Sequence, residues 1–242
     1  MRILKSAFSL LGLLVFQASI ADPITIYCFP GQGSDARLFE SLKPAPGYEI
    51  RVIEYGTPGA GMSMSDFARH LSEQIDTSKP FVLVGVSLGG MICTELSEIL
   101  TPEKTIIISS AKNRNELPMR YRFHRDFPVY KLIPGSFLLA SARILQPIVE
   151  PDRNTNKEIF QSMLSAKDPV YMERTIDMII NWDRKENTRS IFHIHGTKDH
   201  TLPIRNIKSP TYIVDEGSHM MTLTKGEEIS RILNSILAQE SD

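Results

Sequence analysis

The chain is expected to fold as an α/β protein with a mostly parallel central sheet of about six strands, helices on both faces and a helical cap inserted late in the sequence. Three observations predict this. Apolar, β-branched runs alternate with stretches of helical periodicity. One such run, Phe81-Val82-Leu83-Val84, passes through Gly85-Val86-Ser87-Leu88-Gly89 directly into helical sequence. The alternation then stops between about residues 112 and 189, where Pro118, Pro128, Pro134, Pro147, Pro151 and Pro169 divide the chain into short helical pieces. With 242 residues, 42% hydrophobic and 23% charged, the chain can bury one core of ordinary size.

The N-terminus reads as an export signal. Arg2 and Lys5 precede an apolar run from Ala7 to Phe16, and Ser19-Ile20-Ala21 fits a small-x-small cleavage site. Residues 1–21 are therefore expected to be removed, leaving a mature domain 22–242 that is periplasmic or secreted. An uncleaved anchor or a first core helix is the alternative, although the run is short for a membrane span. No other segment is long and apolar enough to cross a bilayer, so no stable span is expected after cleavage.

Strand-like runs follow at residues 24–29, 49–53, 81–85, 105–109, 190–195 and 210–214. Between the second and third, residues 63–76 read as a helix. Ser63 and Asp66 make a capping-box pattern, and Met64, Phe67, Ala68, Leu71 and Ile75 form one apolar stripe. After Gly89, Ile92, Leu96, Ile99 and Leu100 supply the next helix, and Ile229, Ile232, Leu233 and Ile236 the last. In the cap, Tyr121, Phe123, Phe127, Tyr130, Phe137 and Leu138 suit an acyl or aromatic pocket, or simply the cap's own core. Arg114, Arg120, Arg122 and Arg125 suit either an anion or a solvated face, and Trp182 either packing or a pocket wall.

Chemistry converges on Ser87. A serine hydroxyl is a poor nucleophile unless a base takes its proton, and the base needs an acid to fix its tautomer. His219 lies in the loop after the last strand, free to reach back to Ser87. Asp199 follows the strand before it, giving the chain order Ser, Asp, His that accompanies a Gly-x-Ser-x-Gly turn; Asp215 is the rival acid. His193, His195, Asp199 and His200 offer a competing zinc-ligand reading, but their spacing is wide and no further ligand cluster is present. No metal and no cofactor is expected.

At these positions the sequence resembles the α/β-hydrolase superfamily, over nearly all of the mature chain. Phe29-Pro30-Gly31-Gln32-Gly33 resembles the oxyanion loop after the first core strand, and Pro58-Gly59-Ala60-Gly61-Met62-Ser63 the Gly-rich loop after the second. His195-Gly196-Thr197-Lys198-Asp199 and Gly217-Ser218-His219 resemble the acid and base blocks. Pro30 departs from the commoner His-Gly start, and leaves Gln32 or Gly33 as the donor there. The resemblance implies oxyanion stabilisation by the backbone N–H groups of Gln32 and Leu88.

The resulting expectation is a serine hydrolase that cleaves a carboxylic ester through an acyl-enzyme. Thioester or small-amide hydrolysis on the same residues, and a hydrolase-like protein that binds without turnover, are the alternatives. The partner is a small-molecule acyl substrate; a net charge of −1 provides no long-range field for nucleic acid or an anionic membrane. Two cysteines, Cys28 and Cys93, make no disulfide framework.

Overall fold

The computed structural model describes residues 22–137, 140–141, 144 and 156–240. Residues 1–21, expected to be a cleaved leader, and Leu138, Pro147 and Pro151 lie outside those residues. Six strands form one sheet: β1 (Ile24–Phe29), β2 (Tyr48–Val52), β3 (Phe81–Val86), β4 (Lys104–Ile108), β5 (Phe192–Gly196) and β6 (Tyr212–Val214). Their spatial order is β2-β1-β3-β4-β5-β6, and every pair is parallel. The chain thus starts in the sheet interior, moves out to the β2 edge, and returns past β1 to build in the other direction. That reversal leaves a crevice at the carboxyl ends of β1 and β3, where ligands bind in open parallel sheets.

β3 and β4 are buried along their whole length, as a sheet covered on both faces requires. Period-two alternation splits the strands between two cores. Tyr27, Phe29, Phe81 and Leu83 face α1 (Met64–Ser72) and α2 (Leu88–Ile99), packing with Phe67, Leu71, Ile92 and Leu96. Ile26, Cys28, Val82 and Val84 face the last helix, packing with Ile229, Leu233 and Ile236. Full burial of such an aliphatic side chain stabilises by roughly 1.5–3 kcal/mol, so a single Leu83→Ala change removes about 2–5 kcal/mol once the cavity is included. Cys28 and Cys93 are free buried thiols in these two layers.

Element ends differ from the sequence reading for local reasons. The fourth strand stops at Ile108 because Ser109 takes φ 48°. The helix begun at Ser63 stops at Ser72, since Glu73, Gln74 and Ile75 donate to carbonyls three residues back and tighten the turn. The Ser63 Oγ accepts from Asp66 N–H at 3.1 Å, but the Asp66 carboxylate accepts from the same hydroxyl at 2.7 Å. Aspartate is one methylene short of the glutamate that completes a capping box on the Ser63 amide.

Between β4 and β5 the described residues contain α3 (Met119–Asp126), α4 (Lys157–Ser165) and α5 (Pro169–Asn181). Asp168 caps α5 by accepting from Val170 N–H at 2.6 Å, with Pro169 in its first turn. Two helices follow β6, the single turn α6 (Met221–Thr224) and the longer α7 (Gly226–Leu237). The ends of the described chain lie at the amino edge of the sheet. Asp22 pairs with Lys79, just before β3, at 2.8 Å, and Gln239 O accepts from Lys104 Nζ, at the start of β4, at 2.8 Å. Among the described residues no helix is long and apolar enough to cross a membrane.

Candidate active site

Ser87 sits between β3 and α2 with φ 55° and ψ −119°, values that suit glycine at the first central position of a type II′ turn. Such a backbone costs a non-glycine residue about 1–3 kcal/mol and persists only where the surroundings hold it. Here its N–H donates to Ile108 O at 3.0 Å, while its carbonyl accepts from Gly90 N–H and, at 2.6 Å, from the Ser110 hydroxyl. The glycines are required by close approach: a Cβ on Gly85 would strike the Gly89 carbonyl, and one on Gly89 the Phe29 carbonyl. The turn therefore presents the Ser87 hydroxyl at the carboxyl edge of the sheet.

The structure brings Ser87, His219 and Asp199 into one hydrogen-bonded line. His219 Nε2 is 2.8 Å from Ser87 Oγ, and His219 Nδ1 is 2.9 Å from Asp199 Oδ2. A carboxylate only accepts, so Nδ1 carries the proton and Nε2 accepts from the serine hydroxyl. Asp199 is 2% exposed, and its other oxygen accepts from Leu202 N–H at 2.7 Å. Asp215 is exposed and accepts from Thr197 Oγ1 instead.

Behind Asp199 lies a buried pair, His193 and His195, for which a structural, packing or hydrogen-bonding role was the reading set against wide-spaced zinc ligation. His195 Nε2 donates to Leu202 O at 2.7 Å and lies 3.6 Å from Asp199 Oδ2. With that proton assigned, His195 Nδ1 accepts from His193 Nε2 at 3.1 Å. Burial, and for His193 the neighbouring His195, holds both imidazoles below the ordinary histidine range, the Asp199 carboxylate opposing this at His195. Three of the four ring nitrogens are thus committed to protein partners, and among the described residues no group of three or more His, Cys, Asp or Glu could hold a metal.

The loop after β1 passes under the Ser87 side chain: a Cβ on Gly31 would lie 3.3 Å from Ser87 Cβ. The Gln32 side chain is turned away from the serine, donating to Thr175 Oγ1 at 2.7 Å and to Met172 O at 3.3 Å on α5. The Thr175 hydroxyl in turn donates to Tyr171 O at 2.7 Å. Tyr55 fixes the start of the loop by donating to Pro30 O. Leu88, the first residue of α2, follows Ser87, so its amide lies at the positive end of the helix.

Ser87 and His219 open into a cavity of about 410 Å³, within the range of small-molecule sites. Its walls include Met91, Phe160, Leu164, Met172 and Ile179, with Arg120, Tyr121 and His200 contributing polar atoms. Of the apolar residues expected to line it from the early cap, Tyr121 does so. Phe123, in an α3 that buries no residue fully, is exposed, as are Phe127 and Phe137 beyond it, while Tyr130 is buried with its hydroxyl donating to Asp177 at 2.5 Å. The lining from α4 and α5 was missed, although Phe160 and Leu164, and Met172 and Ile179, stand at helical spacing. Trp182 is core: it is 2% exposed and its indole donates to Glu95 at 2.7 Å. Of the four cap arginines, Arg120 reaches the cavity, donating to Thr201 O at 2.5 Å.

This architecture is shared with known proteins. The biotin biosynthesis bifunctional protein BioHC of Teredinibacter turnerae is 26% identical over 254 residues, covering 87% of this chain. This chain spans 44% of the length of that relative. The thermophilic esterase of Thermogutta terrifontis superposes with a TM-score of 0.61 at 12% identity, over 88% of this chain and 89% of that one. YbtT, a type II thioesterase of the yersiniabactin pathway, does so with a TM-score of 0.57 at 14% identity, over 90% and 93%. These likenesses are to the fold. A model of the alpha/beta hydrolase family matches residues 6–232 and so includes all six strands and the Ser87 turn, and the chain belongs to that family.

Proposed function

We propose that the protein is a serine hydrolase acting on a carboxylic ester, with Ser87 as nucleophile, His219 as base and Asp199 as the acid that orients it. The observation that carries this reading is the Asp199–His219–Ser87 line of 2.9 and 2.8 Å at the floor of an apolar cavity. Ser87 Oγ attacks the acyl carbon as its proton passes to His219 Nε2, and the carbonyl oxygen becomes an oxyanion. Donation from the Gln32 and Leu88 backbone N–H groups stabilises that charge, each by about 3 kcal/mol. Collapse expels the alcohol, which takes the proton from His219. Water then attacks the acyl-enzyme as it loses a proton to the same imidazole; the second tetrahedral intermediate breaks its bond to Ser87 Oγ, which takes that proton back, and the carboxylic acid leaves.

The apolar walls from α4 and α5 favour an acyl chain over a charged group. Hydrolysis of a short- and medium-chain p-nitrophenyl ester panel tests the reading, beside Ser87→Ala and a fluorophosphonate probe. Ester turnover and labelling should both disappear in Ser87→Ala, and kcat should fall about 10⁴-fold in Asp199→Asn. Labelling without ester turnover would transfer the reading to a thioester or amide substrate. Absence of both would make this a binding protein. Export with cleavage before Asp22 belongs to the same proposal, and N-terminal sequencing of the protein from its native host checks it.

A further inference from the structure

The first cap helix and the turn that follows it hold large apolar side chains outward. Phe123, Phe127, Val129 and Leu132 are at least half exposed, Leu132 reaching 84%, and Met119 joins them at the start of α3. Phe123 and Phe127 stack on each other at 4.9 Å rather than on the body of the protein. The projection is built, not frayed. Phe127 N–H donates to Phe123 O at 3.0 Å and Lys131 N–H to Pro128 O at 3.1 Å, and buried Tyr130 pins the turn to Asp177 on α5. Interleaved with the apolar residues are Arg120, Arg122, Arg125 and Lys131, against Asp126 within the segment and Asp177 of α5, which pairs with Lys131 at 3.3 Å, so the cations still outnumber the carboxylates. The chain as a whole has a charge of −1, so this positive surface is local.

We infer that residues 119–132 form a docking surface for an anionic lipid surface. Cations interleaved with protruding aromatic and aliphatic side chains match a headgroup layer, where the apolar groups enter the acyl boundary and the long basic side chains remain at the phosphates. Size favours lipid over a protein partner. The segment has 14 residues, whereas a stable protein interface takes about 20–30 residues a side. A few projecting apolar side chains backed by cations suffice for reversible lipid binding. Arg120 and Tyr121 line the cavity, so docking through this segment brings the cavity mouth to the lipid.

Flotation of the full chain with phosphatidylcholine vesicles, with and without an equal share of phosphatidylglycerol, tests this. Binding to the mixed vesicles should be at least about tenfold tighter and should weaken with salt. Phe127→Ser with Leu132→Ser should abolish binding to both. Arg125→Gln with Lys131→Gln should lose about fivefold per charge, roughly 25-fold in all. Both pairs lie outside the cavity and should keep the wild-type melting temperature. Equal binding to the two vesicle types would overturn the proposal. So would binding unchanged in either double variant, which would assign lipid affinity to another part of the chain, such as the apolar residues 7–16. A chain that ignores vesicles but dimerises, and becomes monomeric in Phe127→Ser with Leu132→Ser, would assign the surface to a second copy and overturn it too. Flotation reads no hydrolysis, so its failure is separate from failure of the hydrolase reading.

Discussion

Gly89 shows how sterics outweigh propensity at the level of single residues. In a helix, Gly→Ala ordinarily gains up to about 1 kcal/mol. Here the added methyl would meet the Phe29 and Pro30 carbonyls, main-chain atoms held by β1, so one of two rigid elements must move. Gly89→Ala is expected to lose more than about 3 kcal/mol in a urea melt, with Gly59→Ala, which a Met62 side chain can accommodate, as the mild comparison. His193 and His195 give a second expectation. Both are held neutral in the fold, while the unfolded chain takes up protons near pH 6.5. Stability is therefore fully present above that pH and is lost as pH falls toward the depressed folded values. Each imidazole contributes a slope on the order of 1 kcal/mol per pH unit, and His193→Gln should flatten the fall in melting temperature between pH 7 and 5. The Ser87, Asp199 and His219 positions were legible because sharp turns and loop carboxylates leave local signals. Ser110 and the His193–His195 pair were not, because their roles depend on strands that meet only in the folded sheet.

At the level of elements, the loop carrying Gln32 is fastened to α5 through Thr175, and α5 is fastened to the loop after β2 through Arg174, whose guanidinium donates to Pro58 O at 2.6 Å. The helix that walls the cavity therefore also sets the position of the proposed oxyanion donor. Thr175→Val keeps the volume and removes the acceptor, leaving the Gln32 amide only the longer contact to Met172 O. About tenfold lower kcat with little change in KM is expected, measured on the best ester of the panel, since misplacing a donor weakens the transition state more than the bound substrate. Strands and the capped helix at Ser63 were readable from period and cap residues. The cavity walls were not, because the denser aromatic pattern lies in the early cap while α4 and α5 carry only sparser stripes. Periodicity says which residues share a face; it does not say which face looks at the serine.

Across the whole molecule, a charged clamp helps tie the long connection between β4 and β5 back to the sheet layer. Arg184, just after α5, makes bonds of 2.6 and 2.8 Å to the two oxygens of Glu95, a residue of α2 that is 5% exposed and also accepts from Trp182. Arg184→Ala strands a buried carboxylate and is expected to cost about 3 kcal/mol in a urea titration. The alternation of strands and helices made the parallel sheet legible. The order in which the strands sit, and hence the crevice between β1 and β3, follows from a chain reversal that no local pattern encodes. That arrangement gathers Gln32, Ser87, Asp199 and His219 at one edge of the sheet, while Asp22 and Gln239 are held at the opposite edge. A solid support, a fluorescent reporter or a second catalytic module joined at Gln239 would therefore stand a full strand length from the cavity mouth and leave it open.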